Sequence, residues 1–130
     1  MAALRVLIVD DNDLNVELAT FVLEQAGFMV DAAPDAAAMR RCIAAARPDV
    51  ILMDIQLPGV DGLELTRQLR AEPGTRDIAI AAFTAFAMKG DQARMLAAGC
   101  DGYIAKPIDV ARFAQQVSAC LDGLRARGGV

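Results

Sequence analysis

The sequence predicts a single α/β domain, in which five parallel strands alternate with five helices and the helices cover both faces of the sheet. Three observations lead to this fold class. The chain has 130 residues, of which 55% are hydrophobic, and this suffices for one buried core. Strand-like apolar runs alternate with segments of helical spacing. Most of the runs are apolar along nearly their whole length rather than alternating, which is typical of parallel strands buried on both faces.

The five predicted strands are short apolar runs. The first contains mainly leucine and β-branched residues, which favour extended structure. Polar or turn-forming segments separate each run from the next, so a helix is expected in each connection. The runs are Leu4–Val9, Phe28–Ala33, Val50–Met53, Ile78–Phe83 and Gly102–Ala105.

The first three helices are predicted from caps and apolar spacing. Asn12 or Asp13 caps the first helix, which ends at Gly27. Asp35 caps the second helix, and the third begins near Gly62. The side chains expected to face the core are Leu14, Leu18, Phe21 and Val22 in the first helix, Met39 and Ile43 in the second, and Leu65 and Leu69 in the third.

The last two helices differ in how clearly the sequence indicates them. The fourth, about Met88–Ala98, has a poor apolar pattern, and Gly90 near its start disfavours a helix by about 1 kcal/mol relative to alanine. Two interpretations of Gly90 stay open: ordinary sequence drift, or a segment kept loose so that it can shift. The fifth helix has one clear apolar stripe, formed by Val110, Phe113, Val117, Leu121 and Leu124.

The domain is predicted to span residues 1–124, with a flexible tail at 125–130. No apolar run reaches the roughly 18 residues that cross a bilayer, and the N-terminus lacks the pattern of a secretory signal. These features predict a cytoplasmic protein without membrane insertion. The net charge of −4 argues against nucleic-acid binding, because such surfaces need clustered lysine and arginine.

The composition also excludes several kinds of site. The chain contains no histidine, which excludes Ser-His-Asp and Cys-His catalytic arrangements and argues against structural zinc. Its three cysteines, Cys42, Cys100 and Cys120, do not have metal-ligand spacing. We therefore expect them to be reduced thiols that fill apolar space.

Polar residues directly follow four of the five predicted strands. Asp10 and Asp11 follow the first strand, Asp54 the third, Thr84 the fourth and Lys106 the fifth. The carboxyl ends of parallel strands meet at one edge of the sheet, and binding sites form there. Each residue alone has an ordinary explanation, such as a helix cap. Asp54 is harder to explain in that way, because it ends a continuously apolar run without an adjacent turn residue.

Three carboxylates at one edge repel one another. A pair 4 Å apart costs roughly 1 kcal/mol in water and about 4 kcal/mol at an effective dielectric constant of 20. A divalent cation together with Lys106 would bring the formal charge of Asp10, Asp11 and Asp54 from −3 to zero. Oxygen ligands without histidine or cysteine select a hard ion, and Mg²⁺ is the hard ion that pairs with phosphate. The edge is therefore predicted to hold Mg²⁺ and to support phosphoryl chemistry.

Four stretches resemble the receiver domains of two-component response regulators, and their order and spacing agree over essentially the whole chain. The resemblance implies a flavodoxin-like (βα)5 fold with strand order 2-1-3-4-5. The segment that follows Thr84 is most similar to that of stand-alone polar-differentiation (DivK-like) single-domain regulators. The four stretches are Val-Leu-Ile-Val-Asp-Asp-Asn from Val6, Ile-Leu-Met-Asp-Ile-Gln-Leu-Pro from Ile51, Phe-Thr-Ala from Phe83 and Lys-Pro-Ile from Lys106.

The resemblance also implies a role for each residue at the edge. Asp54 corresponds to the aspartate that is phosphorylated. The Mg²⁺ ligands would be Asp11, Asp54, the backbone carbonyl of Gln56 and, through water, Asp10. Lys106 would pair first with Asp54 and then with the phosphoryl oxygens.

Two further residues correspond to the switch of the family. Thr84 matches the hydroxyl that binds the phosphoryl group, and Tyr103 matches the aromatic residue that changes rotamer with it. The bond between Lys106 and Pro107 is expected to be cis, which an X-Pro bond permits at about 0.5–1 kcal/mol. Phe86 lies two residues beyond Thr84, and we hypothesise that its bulk slows dephosphorylation.

The predicted function is therefore that of a response regulator in a two-component phosphorelay. A histidine kinase or histidine phosphotransfer protein would phosphorylate Asp54, and the donor must be another protein because this chain has no histidine. The surface of the fourth helix, fifth strand and fifth helix would then change and control a downstream protein. The chain would catalyse its own phosphorylation and dephosphorylation without being a conventional enzyme.

Other interpretations make different predictions. A receiver excised from a hybrid sensor histidine kinase stays open. A dehalogenase-like phosphatase would use Asp11 as nucleophile and Asp13 as acid, and labelling of Asp54 would exclude it.

A calcium loop beginning at Asp11 fails, because Val16 and Val22 occupy the positions of its glycine and glutamate. A flavin site fails because the acidic first loop would repel phosphate. A docking-only receiver is disfavoured because every expected site residue is present.

Overall fold

The structure is a computed structural model that describes residues 3–57, 59–85 and 89–126. The strands of the main sheet are β1 (Arg5–Val9), β2 (Met29–Ala33), β3 (Val50–Asp54), β4 (Ala79–Thr84) and β5 (Gly102–Ala105). The helices are α1 (Asp13–Gln25), α2 (Ala36–Ala45), α3 (Gly62–Ala71), α4 (Lys89–Ala98) and α5 (Phe113–Ala126). After β3, residues Gln56–Leu57 and Val60–Asp61 pair as a short antiparallel hairpin.

The main sheet is parallel and has the strand order β2-β1-β3-β4-β5. This confirms the predicted flavodoxin-like fold and its order, whereas the short hairpin was not predicted. The central strand β3 is buried along its whole length. Its last residue, Asp54, pairs in register with Phe83 of β4, and Thr84 pairs with Ala105 of β5. The polar strand ends therefore lie side by side.

Side chains alternate along the strands between two cores, one on each face of the sheet. We call the face covered by α2, α3 and α4 the α4 face, and the face covered by α1 and α5 the α5 face. Strand residues in the core of the α4 face include Val9, Ile51, Met53, Ile80 and Ala82. Those in the core of the α5 face include Val6, Ile8, Leu52, Phe83 and Ile104. Burial on both faces explains why the central strands β3 and β4 are apolar at nearly every position.

Helix α1 turns a different face inward from the one that the sequence predicted. The cap is at Asn12, whose side chain accepts a hydrogen bond from the Asn15 N–H at 3.0 Å. The prediction of an inner face was wrong for three of its four residues: Leu14, Leu18 and Phe21 are 75%, 41% and 62% exposed. The buried residues are Ala19, Val22 and Leu23. The helix carries two adjacent apolar stripes, and the one with the smaller side chains lies against the sheet.

The remaining helices agree more closely with prediction. Asp35 caps α2 by accepting from the Ala38 N–H at 2.8 Å. Met39, Leu65 and Leu69 are buried as expected, and Ile43 packs half-buried at the edge of the core. Helix α4 begins at Lys89 in the described residues, while Met88 lies outside them.

The predicted stripe of α5 is one residue too long at its start. Val110 is 59% exposed and precedes the first helical residue, because the chain turns at Asp109, which accepts a backbone hydrogen bond from Phe113. Phe113, Val117 and Leu121 are buried as predicted. The side chain of Leu124 and all of residues 127–130 lie outside the described part, so the flexible tail stays a prediction.

The cysteines are reduced, as expected, with Cys100 and Cys120 buried and Cys42 half-buried. Burial raises the pKa of Cys120 to about 11, and it also raises the pKa of Cys100. Their thiols therefore stay protonated and unreactive at neutral pH. Within the described residues, no helix combines the length and the apolar character that crossing a membrane requires.

Candidate functional site

The carboxyl edge of the sheet brings Asp10, Asp54 and Lys106 together. The alternation of side chains explains why three residues so far apart in sequence converge. Each of them lies two residues beyond a strand residue whose side chain is on the α5 face, namely Ile8, Leu52 and Ile104. Their own side chains therefore leave the sheet on that same side, at the point where the strands end.

A single ammonium group lies between two carboxylates at this edge. The Nζ atom of Lys106 is 2.9 Å from Oδ2 of Asp10 and 3.5 Å from Oδ2 of Asp54. The side chains of Asp10, Asp54 and Lys106 are only 0%, 9% and 15% exposed. Little solvent screens this cluster, so its charges interact strongly.

Backbone hydrogen bonds hold both carboxylates in place. The Asn12 N–H donates to Oδ1 of Asp10 at 2.9 Å, and the Gln56 N–H donates to Oδ1 of Asp54 at 2.9 Å. In each carboxylate the other oxygen, Oδ2, is the one that approaches Lys106. The backbone thus orients both acids before any ligand arrives.

Burial raises the pKa of Asp54 above its ordinary value. The Gln56 N–H and the charge of Lys106 act in the opposite direction, whereas the charge of Asp10 and a hydrogen bond with it add to the increase, and the pKa stays raised on balance. A negative charge on Asp54 is therefore incompletely compensated by the protein's own groups. A cation bound nearby would stabilise the ionised form.

Asp11 completes an acidic cluster that has the composition of a magnesium site. Asp10, Asp11 and Asp54 each place one carboxylate oxygen so that all three oxygens lie within 4.8 Å of one another. Asp10 and Asp54 are buried, whereas Asp11 is exposed. Such a cluster offers only hard oxygen donors and stays open to water on one side, and both properties suit Mg²⁺. The residues present therefore fit this ion.

Gly62 is a residue of the site that the sequence prediction recognised only as a helix start. A Cβ atom at Gly62 would overlap the backbone carbonyl of Asp54. The Gly62 N–H also donates to the Ile55 carbonyl at 3.2 Å, which closes the hairpin after β3. Glycine at this position therefore lets α3 begin directly against the strand end that carries Asp54. A glycine at the first position of a helix was the only sequence signal, and it does not by itself indicate close approach.

The two predicted switch residues occupy strand positions whose side chains alternate towards the α4 face, although Thr84 ends β4 at the same edge of the sheet as the acids. Thr84 ends β4 and is buried, and alternation places its side chain on the α4 face with those of Ile80 and Ala82. Tyr103 is 39% exposed and lines an open groove of about 390 Å³ between α4 and α5. Thr84 is therefore buried at the end of β4, whereas Tyr103 lies at the surface of the domain.

The loop after β5 connects the lysine with the threonine through the backbone. The Lys106 N–H donates to the Thr84 carbonyl at 2.8 Å. The bond between Lys106 and Pro107 is cis, as the resemblance implied. Phe86 lies outside the described residues, so its effect on dephosphorylation stays a prediction.

Comparison with known proteins decides the family. The sequence model of the response regulator receiver domain matches residues 6–118. The chain belongs to this family. The receiver domain therefore accounts for nearly the whole of the described structure, including every residue of the acidic edge.

Relatives of this receiver domain include a protein with a named cellular role. The polar-differentiation response regulator DivK of Brucella anthropi is 43% identical over 116 residues, which cover 89% of this chain and 94% of that protein. The corresponding protein of Brucella ovis is 42% identical over the same length. The likeness to polar-differentiation regulators predicted from the sequence is confirmed.

A solved structure adds a receiver that is attached to a kinase. The receiver domain of the sensor histidine kinase PA1611 from Pseudomonas aeruginosa is 34% identical, with a TM-score of 0.81, and the alignment covers 93% of this chain and 99% of that one. That structure is described as having a magnesium ion coordinated in its active-site cleft.

Family membership decides the general function of the chain. It is a receiver domain of two-component phosphorelay signalling and does not belong to a conventional enzyme family. The alternative of a dehalogenase-like phosphatase is thereby set aside. Partners of this class of domain are histidine kinases or histidine phosphotransfer proteins.

Proposed function

We propose that the receiver domain accepts a phosphoryl group on Asp54. The observation that carries this proposal is the arrangement around the Asp54 carboxylate. It is buried at the end of the central strand, its Oδ1 accepts from the Gln56 N–H, and its Oδ2 lies 3.5 Å from the Lys106 ammonium. Asp11 does not have this combination, because it is exposed. Asp10 shares the burial and the two contacts, but it follows β1, whereas Asp54 ends the central strand β3.

The transfer forms one bond and breaks another. An oxygen of Asp54 attacks phosphorus in line, the bond from phosphorus to the donor's imidazole nitrogen breaks, and the imidazole leaves with the electron pair. Lys106 stabilises the charge that develops on the transferring oxygens. The donor histidine lies outside these 130 residues, because the sequence contains none. Water later hydrolyses the acyl phosphate and regenerates the carboxylate.

Asp11, Asp54, the carbonyl of Gln56 and, through water, Asp10 are the residues that would hold Mg²⁺. When bound there, the ion supplies positive charge beside the phosphoryl oxygens and offsets the repulsion within the acidic cluster. The raised pKa of Asp54 supports this part of the proposal, since the protein's own groups leave the carboxylate charge uncompensated.

The switch is proposed to run through Thr84 to the surface of α4, β5 and α5. Phosphorylation changes the charge of the group on Asp54 from −1 to nearly −2. The Thr84 hydroxyl and the Lys106 ammonium are then drawn towards it, and Tyr103 moves into the space that Thr84 leaves. This local change shifts the conformational equilibrium of the groove between α4 and α5, where a downstream protein would bind. The likeness to polar-differentiation regulators also supports the predicted cytoplasmic location.

The exposed apolar stripe of α1, formed by Leu14, Leu18 and Phe21, is the proposed docking surface for the phosphoryl donor. The helix begins at Asp13, two residues after Asp11, so the stripe starts at the acidic edge. A protein that presents a phosphohistidine to Asp54 must cover this edge and therefore contacts α1 as well. Large apolar side chains that cluster in solvent are typical of such interfaces, and an apolar helix face on the donor would match them.

Incubation with acetyl phosphate and Mg²⁺ tests the phosphoacceptor. We expect the unmodified chain to gain the mass of one phosphoryl group and Asp54→Asn to gain none. Asp11→Asn should be labelled more slowly, but still on Asp54. Peptide mapping that located the phosphoryl group on Asp11, or equal labelling of the unmodified chain and Asp54→Asn, would refute the proposal.

The test of the proposed docking surface compares two phosphoryl donors. The first is a phosphorylated histidine phosphotransfer protein chosen because it labels the unmodified chain, and the second is acetyl phosphate. Leu14→Ser combined with Phe21→Ser should slow transfer from the protein donor at least about tenfold, a typical effect at the centre of an interface. The rate with acetyl phosphate should not change. Leu96→Ser is the matched control, because Leu96 is 55% exposed on α4. Equal slowing by the α4 variant would contradict the assignment to α1.

A further inference from the structure

The ammonium group of Lys106 has a third neighbour besides the two carboxylates. Its Nζ atom lies over the ring of Phe83, 4.8 Å from the ring centroid. Phe83 is fully buried in the core of the α5 face, and it pairs in register with Asp54 across β3 and β4. The face of an aromatic ring attracts a cation at this distance. Phe83 therefore contributes to the electrostatics of the site although it carries no charge.

The ring of Phe83 is held rigidly by a second aromatic residue. The Phe113 ring lies at a centroid distance of 5.8 Å with an interplanar angle of 34°, and it is also fully buried. Phe113 is the first residue of α5. Two buried rings in contact have little room to reorient, because protein cores are densely packed. The ring face thus has a set position relative to both β4 and α5.

Lys106 needs such support more than a short side chain would. Its four-carbon stem is flexible, and its ammonium interacts with carboxylates without a strong directional preference. Asp10 is already the nearer of the two acids, at 2.9 Å compared with 3.5 Å for Asp54. A third attraction from a rigid ring restricts the ammonium to the region between the acids, where it faces the reacting oxygens.

We infer that Phe83 is a positioning residue, whose ring face holds the Lys106 ammonium in place for phosphoryl transfer to Asp54. The Phe83 ring contacts both Lys106 and the Phe113 ring. Because Phe113 begins α5, the two rings link the lysine to the first turn of that helix. A leucine at position 83 would fill much of the same space but would lack the attraction for a cation. The inference rests on the proposed function, because Lys106 matters for the rate only if Asp54 accepts a phosphoryl group.

Graded fluorination of one ring tests the inference. Phe83 is replaced by 4-fluoro-, 3,5-difluoro- and 3,4,5-trifluorophenylalanine through suppression of a nonsense codon. Each fluorine weakens the attraction of the ring face for a cation with little change in ring volume. We expect the rate constant of Asp54 phosphorylation by acetyl phosphate to fall stepwise, to about two- to fivefold below the unmodified value, which corresponds to about 0.5–1 kcal/mol. If Phe83 only filled space in the core, the rate constant would not depend on the number of fluorines.

The same series at Phe113 is the matched control, because that ring is buried in the same core but supports Lys106 only through Phe83. We expect the rate constant to stay constant across this series. A constant rate across the Phe83 series, or an equal fall in both series, would overturn the inference. Thermal unfolding of each protein checks that the comparison is between equally folded chains.

A second measurement does not depend on phosphorylation. In the metal-free protein, the ring current of Phe83 should displace the NMR signals of the Lys106 ε-methylene protons upfield. Phe83→Leu should return these signals towards those of an ordinary lysine, whereas Phe113→Leu should leave most of the displacement. Undisplaced signals in the unmodified chain would refute the inference. Failure of the unmodified chain to be phosphorylated would instead refute the proposed function, and the NMR comparison would still decide whether the ring holds the lysine.

Discussion

At the scale of single residues, Asp54 carries a charge in a place that disfavours charge. Burial is the largest cause that raises its pKa, and the pKa stays raised although the Gln56 N–H and Lys106 act to lower it. Asp10 adds repulsion from the neighbouring strand, although it shares the same ammonium. The proposed reactivity of Asp54 towards phosphorus and the expected cost in stability therefore have the same physical origin, which is a carboxylate charge that the surrounding groups compensate incompletely.

We expect Asp54→Asn to raise the free energy of unfolding by about 1 kcal/mol at pH 7 in metal-free buffer, because it removes one charge from the acidic cluster. The sign follows from the raised pKa. A folded-state pKa above the ordinary 3.8 means that the folded protein binds the Asp54 proton more tightly than the unfolded chain does. Stability is then lost as the pH rises from 3.8 through the raised pKa. The advantage of the variant should therefore shrink on acidification.

Urea unfolding at several pH values measures this effect. Asp35→Asn is the control, since Asp35 also accepts a backbone hydrogen bond but caps α2, and its change should stay within about 0.5 kcal/mol. Mg²⁺ should stabilise the unmodified chain more than Asp54→Asn, because ligand binding to the folded state adds to its stability. A variant that is less stable than the unmodified chain in metal-free buffer would contradict the view that the Asp54 charge is uncompensated.

At the scale of elements, two helices contain glycines whose surroundings differ in a way that the sequence does not reveal. Gly62 begins α3 where its backbone touches that of Asp54, so no side chain fits. Gly90 lies in the first turn of α4, and a Cβ atom built there meets nothing within 4 Å. Close approach explains the first glycine, whereas the structure gives no steric reason for the second.

Alanine at these two glycines should therefore have opposite effects. Gly62→Ala should destabilise the domain by at least about 2 kcal/mol and slow the phosphorylation of Asp54, because the strand end must move away from α3. Gly90→Ala should stabilise the domain by about 0.5–1 kcal/mol, since alanine loses less backbone entropy in a helix. Chemical denaturation and the acetyl phosphate assay measure both effects. A Gly90→Ala protein that was stabilised but no longer bound a downstream partner would favour the interpretation of α4 as a segment kept loose.

At the scale of the whole molecule, one ion pair at the edge opposite the acidic cluster connects four elements. The Arg70 guanidinium of α3 donates to the Gly99 carbonyl after α4 and to the Ile78 carbonyl before β4, at 2.8 and 2.6 Å. It also pairs at 2.7 Å with Asp101, which precedes β5 and whose side chain is completely buried. The Asp101 carboxylate in turn accepts from the Ile80 N–H at 2.8 Å. This network joins the C-terminal end of α4 to the body of the domain.

We expect Arg70→Met to lower the free energy of unfolding by about 3 kcal/mol, because it removes the positive charge that pairs with the buried Asp101 carboxylate. Arg40→Met is the matched control. Arg40 pairs with Glu72 at 2.7 Å, but their side chains are 37% and 47% exposed, and the change should stay within about 1 kcal/mol. Equal losses in the two variants, measured by urea unfolding, would show that burial does not distinguish these ion pairs.

Much of the fold and of the site could be predicted from the sequence, because both depend on local patterns. Continuous apolar runs identify strands buried on two faces, and a polar residue at the end of such a run lies at the edge of the sheet. Asp10, Asp54 and Lys106 follow this pattern, and the structure places them within hydrogen-bonding or ion-pair distance. The matching stretches of the receiver family then supplied the strand order, which local patterns do not contain.

The tertiary structure alone decided which surfaces meet. Leu14, Leu18 and Phe21 have helical spacing, as do the buried residues of α1, and only the sheet and α5 determine which stripe is covered. The overlap that excludes a side chain at Gly62 involves the end of another element, as does the ring of Phe83 beneath Lys106. The sequence by itself determined the residues that we propose to carry the chemistry, because they follow strands directly. The identity of the residues around them depends on contacts between distant segments of the chain, and a local sequence pattern contains no information about such contacts.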